Sequence, residues 1–199
     1  MADLKLRDVR GSFLVLGEPE FYQGKKQRPD DKRRWSCTFL LPYDSPQLKA
    51  AWAVMEDLAK EKWGAKYGPI WENIKSDSKL SCLTDGKRKA YEGYAGHYAL
   101  TAHRTEDKGR PLVLDSDKSP VYQPDNSLYP GKAGRVYSGC YVNGHVSFWA
   151  QDNSNGKAIR AELLGIQRNR DGDAFSGGIA PDADAFEEIT EGNNADDLT

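Results

Sequence analysis

The feature that most constrains the fold is a pair of strand-like segments joined by a short turn. Apolar residues alternate between Arg135 and Ala150, and residues 157–170 return after the turn sequence DNSNG at 152–156. This period of two is typical of a β-strand with one buried face. The opposite face of the first segment then carries Tyr137, Tyr141 and Trp149. The chain is therefore predicted to be mainly β.

Further strands and one helix complete the predicted fold. Strands are expected at residues 5–16, 35–41, 91–104 and 112–115, and loops at 17–34 and 115–134. Ser45 and Pro46 open a helix that ends near Trp63, with apolar residues at three- and four-residue spacing. Residues 64–90 follow no clear pattern. These elements favour an OB-fold-type five-stranded barrel with one long α-helix and long loops, with a β-sandwich as the alternative.

The charge is distributed unevenly along the chain. Nine of the 30 acidic residues and none of the 28 basic residues lie in 171–199, which leaves 28 basic against 21 acidic residues before that point. A body with a formal charge of +7 is thus joined to an acidic, Gly- and Ala-containing segment. We expect a domain at 1–170 and a flexible, disordered acidic C-terminal tail at 171–199.

Several classes of protein are disfavoured. The widely spaced Cys37, Cys82 and Cys140 suggest neither a disulfide framework nor a zinc site, and they fit a reducing cytoplasm. No nucleotide-binding or hydrolase motif occurs, so no cofactor, metal or enzymatic activity is predicted. Asp115 and Asp117 leave one alternative open, a Mg²⁺-dependent nuclease. No apolar stretch approaches the ~20 residues of a membrane span, and no secretion signal is evident.

Basic clusters beside aromatic residues indicate binding of an unpaired polynucleotide, because lysine and arginine neutralise phosphates and flat rings stack on bases. The alternatives are solvated loop charges and structurally half-buried rings. An adaptor that binds protein partners through barrel and tail is the other functional candidate. Predicted DNA-binding residues are Lys25, Lys26, Arg28, Lys32, Arg33, Arg34, Lys87, Arg88, Tyr94, Tyr98, Arg135, Tyr137, Tyr141, Trp149, Arg160 and Arg168.

The acidic tail is predicted to take part in binding. It could occupy the basic groove of its own body and, once displaced by DNA, offer apolar and acidic groups to basic partner proteins. The candidate partner-binding residues are Phe186, Asp196, Asp197 and Leu198. A merely solubilising tail is the alternative.

Several segments resemble the single-stranded DNA-binding proteins of tailed bacteriophages. These are residues 129–144, Phe148–Ala150, 156–167 and 171–175, together with the predicted strands near residues 5–16 and 94–102. The resemblance implies an oligonucleotide-binding fold and sequence-independent coating of single strands in phage replication, recombination or repair. It also implies a tail that contacts phage or host replication proteins in the cytoplasm of the infected bacterium. It leaves the oligomeric state open.

Overall fold

The computed structural model describes residues 1–175. Seven strands and two α-helices make up this part of the chain. The strands are β1 (Ala2–Glu20), β2 (Arg34–Pro42), β3 (Leu83–Asp85), β4 (His97–Thr105), β5 (Leu112–Leu114), β6 (Tyr141–Asn153) and β7 (Gly156–Arg170), and the helices are α1 (Pro46–Trp63) and α2 (Tyr67–Ser76).

The strands form one sheet that closes on itself. Their order is β3-β4-β2-β1-β6-β7-β5, and β4 also pairs with β7 in parallel at His103 and Glu162. Strands β1, β2, β4, β7 and β6 thereby form the predicted closed five-stranded barrel, and the expected β6–β7 hairpin is present. Cys37, Phe39 and Leu41 of β2 point into a core from which solvent is excluded. Alternate residues of the same strands consequently face outward.

The predicted long helix is confirmed. The Ser45 hydroxyl accepts a hydrogen bond from the Gln47 N–H (3.1 Å), and the helix stops at Gly64. Its apolar face packs on β1 and β6. Helix α2 was not predicted, because Gly68 and Pro69 usually interrupt helices. Pro69 lies in the first turn, where a missing backbone N–H costs nothing.

Two predicted strands begin later than their sequence patterns indicated. Residues 135–140 and 91–96 precede β6 and β4 as turns rather than extending them. Gly139 (φ 107°) and Gly93 (φ 77°) adopt left-handed backbone conformations that interrupt an extended ladder. The strand starts predicted from side-chain alternation alone are therefore several residues too early.

The predicted loop at residues 115–134 is folded against the body. The backbone N–H of Val121 donates to the Val113 carbonyl (3.0 Å), and that of Tyr129 donates to the Val121 carbonyl (3.0 Å). This layer extends the sheet beyond β5. Among residues 1–175, neither helix combines the length and apolar character that a membrane span requires.

Candidate nucleic-acid groove

A groove of about 1150 Å³ runs over the outer face of the barrel. Its floor consists largely of small side chains, because the outward positions of the strands are occupied by residues such as Ser36, Thr38, Thr84 and Thr101. The Thr38 and Thr101 hydroxyls hydrogen-bond to each other across β2 and β4 (3.1 Å). Such a floor leaves room for a flexible ligand to lie along the strands.

The basic end of the groove is built from β2, β6 and β7. Arg34 begins β2, and its guanidinium stands 4.5 Å from the ring centre of Tyr22. Arg160 and Trp149 are paired across β7 and β6, and all four side chains line the groove. Guanidinium groups beside flat rings suit a ligand that carries both phosphates and bases.

The positive charge at this end of the groove affects the pKa of His103 on β4. Burial, together with the positive charges of Arg34 and Arg160, lowers the pKa of His103 to about 4. Burial likewise lowers the pKa of Arg34, with Arg160 as a smaller cause. His103 is consequently neutral at physiological pH.

Positive charge prevails along the whole groove. Among the described residues that line it, Lys79, Lys89, Arg34 and Arg160 oppose a single acid, Glu20. Close by on β7, Glu162 is already paired with Arg104 (2.5 Å) and Lys108 (2.8 Å). The groove therefore attracts anions more strongly than the overall charge of −2 indicates.

The other end of the groove is aromatic. Phe13 of β1 lies edge-on to Tyr91, with 4.9 Å between ring centres, and Tyr94 lies 5.2 Å from Tyr91. The Tyr94 hydroxyl reaches the Ser12 hydroxyl (3.4 Å) beside Thr38. Thr38 is four residues from Arg34 on β2, so the two ends are about 13 Å apart along the strand.

The structure brings together four of the residues predicted from sequence. Arg34, Tyr94, Trp149 and Arg160 all line the groove. Tyr94 is only 3% exposed, so it offers little more than an edge to a ligand. Tyr98 is not in the groove, since its ring packs between Tyr43 and Trp52.

Except for Arg34, the basic residues predicted at 25–34 and at 87–88 lie at the surface outside the groove lining. In the loop between β1 and β2, Lys32 pairs with Asp107 (2.6 Å) and Arg33 with Glu106 (2.9 Å). Lys25, Lys26 and Arg28 are exposed in the same loop. Lys87 stands over the Tyr43 ring, and Arg88 donates to the Ser76 carbonyl (2.9 Å). Lys89, which follows Lys87 and Arg88 in the chain, does line the groove.

Four other predicted residues are held by contacts with the protein itself. Arg170 lies 3.4 Å from the ring centre of Tyr141, and the Tyr137 hydroxyl donates to the Gly172 carbonyl (2.9 Å). Arg135 donates to Asp115 (2.9 Å), and Arg168 is bonded to Asp171 (2.7 Å). These residues form a cluster apart from the groove lining, so the rings of β6 do not make one continuous surface.

The carboxylate of Asp115 is neutralised by the protein. It is buried and accepts hydrogen bonds from Arg135 (2.9 Å) and Lys132 (2.8 Å), contacts that hold its pKa well below the usual range. A carboxylate in this state has little capacity to hold Mg²⁺. Within residues 1–175, no three His, Cys, Asp or Glu side chains are grouped to hold a metal ion.

Sequence reasoning missed several lining residues. Phe13 sits in the apolar run FLVL and resembles a core residue, while His103 and Lys79 stand in segments without a basic cluster. Tyr22 and Tyr91 stand next to the basic clusters at 25–34 and 87–89 in the sequence. The rule that would have found them is that a ring flanking a basic cluster is itself a stacking candidate.

The first residues of the tail lie on the body. Arg10 donates to the Asp173 carbonyl (2.6 Å) and stands 4.2 Å from the Phe175 ring centre. Phe175 packs against Leu40, Tyr94 and Ala99, where a side chain at Gly93 would collide with it. Phe186, Asp196, Asp197 and Leu198 lie outside the described residues.

A closed five-stranded barrel whose outer face carries a basic and aromatic groove defines an oligonucleotide-binding-fold protein. Comparison with known proteins gives the same class. The chain belongs to the family described as Enterobacter phage Enc34, ssDNA-binding protein, whose model matches residues 2–199. It is 38% identical over 189 residues to protein p50 of Acyrthosiphon pisum secondary endosymbiont phage 1, covering 94% of each chain.

Solved structures that share the fold include two phage proteins. The single-stranded DNA-binding protein from bacteriophage Enc34, in complex with ssDNA, has a TM-score of 0.67 and 24% identity, covering 87% of this chain and 89% of that one. Gp2.5 of bacteriophage T7, a single-stranded DNA-binding protein, has a TM-score of 0.55 and 12% identity, covering 96% and 98%.

Proposed function

We propose that this chain binds single-stranded DNA independently of base sequence, as a coating protein in phage DNA replication, recombination or repair. The observation that carries the proposal is the groove itself, in which Arg34 and Arg160 stand beside Trp149 over a floor of small side chains. Family membership and the likeness to a protein solved with ssDNA support it.

In the proposed mechanism, positive charge binds the phosphates and an aromatic ring stacks on the bases. Arg34 and Arg160 replace counterions on the phosphate backbone, and each neutralised phosphate steepens the log-affinity against log-salt slope by about 0.7. Trp149 stacks on a base, which is worth about 1–3 kcal/mol. No base edge needs to be read, so binding tolerates any sequence. The bases of a duplex are paired and cannot reach the Trp149 ring.

Equilibrium titration of a labelled oligo-dT strand and of a matched duplex, each at 50 and 200 mM NaCl, tests this function. We expect the single strand to bind more tightly, to lose affinity with salt, and to quench tryptophan fluorescence. A Trp149→Phe variant controls for the other four tryptophans. Equal affinity for strand and duplex, or no binding at either salt concentration, would refute the proposal.

We further propose that the acidic tail competes with DNA for the groove and recruits replication proteins through Phe186, Asp196, Asp197 and Leu198. Support comes from the charge split and from Phe175, which touches the groove residue Tyr94. The described part of the tail thus ends beside the groove. A polyanion tethered there has a high effective concentration at Arg34 and Arg160.

A further inference from the structure

The aromatic end of the groove begins at an irregularity in β1. Ser12 pairs with Thr38 and Val15 with Ser36, so three steps along β1 match two steps along β2. One extra residue is therefore inserted, which is a β-bulge. Bulges at the rims of barrels redirect side chains, and this one turns part of an apolar run away from the core.

Phe13 is the residue that the bulge presents to solvent. Its backbone has φ 49°, a left-handed conformation that non-glycine residues rarely adopt, and its ring is 52% exposed. Core packing does not account for a strained backbone that carries a large apolar ring outward. Residues held in such conformations cluster at functional sites.

The surroundings of Phe13 suit a nucleobase. Tyr91 is 50% exposed and stands edge-on to Phe13. The buried Tyr94 packs against both rings, and its hydroxyl is hydrogen-bonded to Ser12. Lys89 lines the same groove, close in sequence to Tyr91, and supplies positive charge for a neighbouring phosphate. Two exposed rings on a rigid support, in a cationic groove, form a stacking platform.

We propose that Phe13 and Tyr91 form a second base-stacking site, separate from Trp149, and that the β1 bulge exists to present it. This inference rests on the proposed function and extends it, since it assigns the aromatic end of the groove to a base. A strand bound at both ends follows β2 from Arg34 toward Thr38.

The test compares Phe13→Tyr, Phe13→Leu and Phe13→Gly with the wild-type chain, in titrations of oligo-dT and of an abasic strand of equal length. Phe13→Tyr retains the ring and should bind oligo-dT as the wild type does. Phe13→Leu keeps apolar bulk without a flat ring and should bind about 5- to 150-fold more weakly. On the abasic strand the variants should match the wild type, because no base remains to stack.

Phe13→Gly separates binding from folding. Glycine tolerates φ 49°, so this variant should melt at the same or a higher temperature while binding oligo-dT as weakly as Phe13→Leu. A lower melting temperature in both variants would place Phe13 in the core and overturn the proposal, as would unchanged affinity for oligo-dT. If the wild-type chain itself does not bind oligo-dT, the proposed function fails instead.

Discussion

Replacing Arg160 by glutamine is expected to flatten the salt dependence of DNA binding without harming the fold. Arg160 lines the groove beside Trp149, and its Nε donates to the Gln151 side chain (3.4 Å) rather than to a carboxylate. Removing its charge therefore leaves no buried anion without a partner. The variant should keep the wild-type melting temperature.

The size of the effect follows from the cations of the groove. If Lys79, Lys89, Arg34 and Arg160 each neutralise one phosphate, the slope is about −2.8 for the wild type and about −2.1 for the variant. Raising NaCl from 50 to 200 mM then weakens wild-type binding about 50-fold and variant binding about 18-fold. Fluorescence anisotropy of a labelled oligo-dT strand at several salt concentrations measures both slopes.

Arg7→Gln is the matched control, because it makes the same chemical change at an exposed position on β1 outside the groove lining. Its slope should equal that of the wild type. An Arg160→Gln slope equal to the wild-type slope would refute the assignment of Arg160 to the phosphate backbone. Equal flattening in both variants would show that charge acts at long range and not through contact in the groove.

Two further results are expected. Asp115→Ala should lower the free energy of unfolding by about 1–3 kcal/mol and the melting temperature by roughly 2–12 °C, because the partly buried Lys132 and Arg135 lose the carboxylate to which they donate; exposed Asp117→Ala should have little effect. Since ion pairs lower the pKa of Asp115, the difference in melting temperature between the wild type and Asp115→Ala should shrink as the pH falls below 3.8. A difference that does not depend on pH would contradict the ion pair. A chain ending at residue 175 should bind oligo-dT more tightly than the full chain and melt at the same temperature, whereas one ending at 170 should melt lower because Phe175 is lost. Unchanged affinity of the 175-residue chain would reject competition by the tail.

Local patterns predicted much of the architecture. Ser45, Pro46 and Gly64 mark the ends of α1 because capping depends on a few adjacent residues. Alternation located most strands because the buried face of a strand needs an apolar residue at every second position. Local signals were weaker at Gly93 and Gly139, where the backbone leaves the extended conformation while the apolar alternation continues.

The site was less predictable, because strand periodicity identifies a face and not a location on it. Tyr141 and Trp149 have the same parity on β6, yet they lie about 26 Å apart along the strand, and only Trp149 of the two lines the groove. Arg135 and Arg168 resemble phosphate ligands in the sequence. Their engagement by Asp115 and Asp171 depends on which loops fold against the sheet.

By itself the sequence determined the β-rich composition, the capped helix, and the separation of a basic body from an acidic tail, since each follows from residues near one another in the chain. Tertiary structure decided the parallel β4–β7 closure, the outward turn of Phe13, and the meeting of Arg34 with Arg160. The physical reason is that these features join segments far apart in sequence, and their geometry is fixed only when the barrel closes.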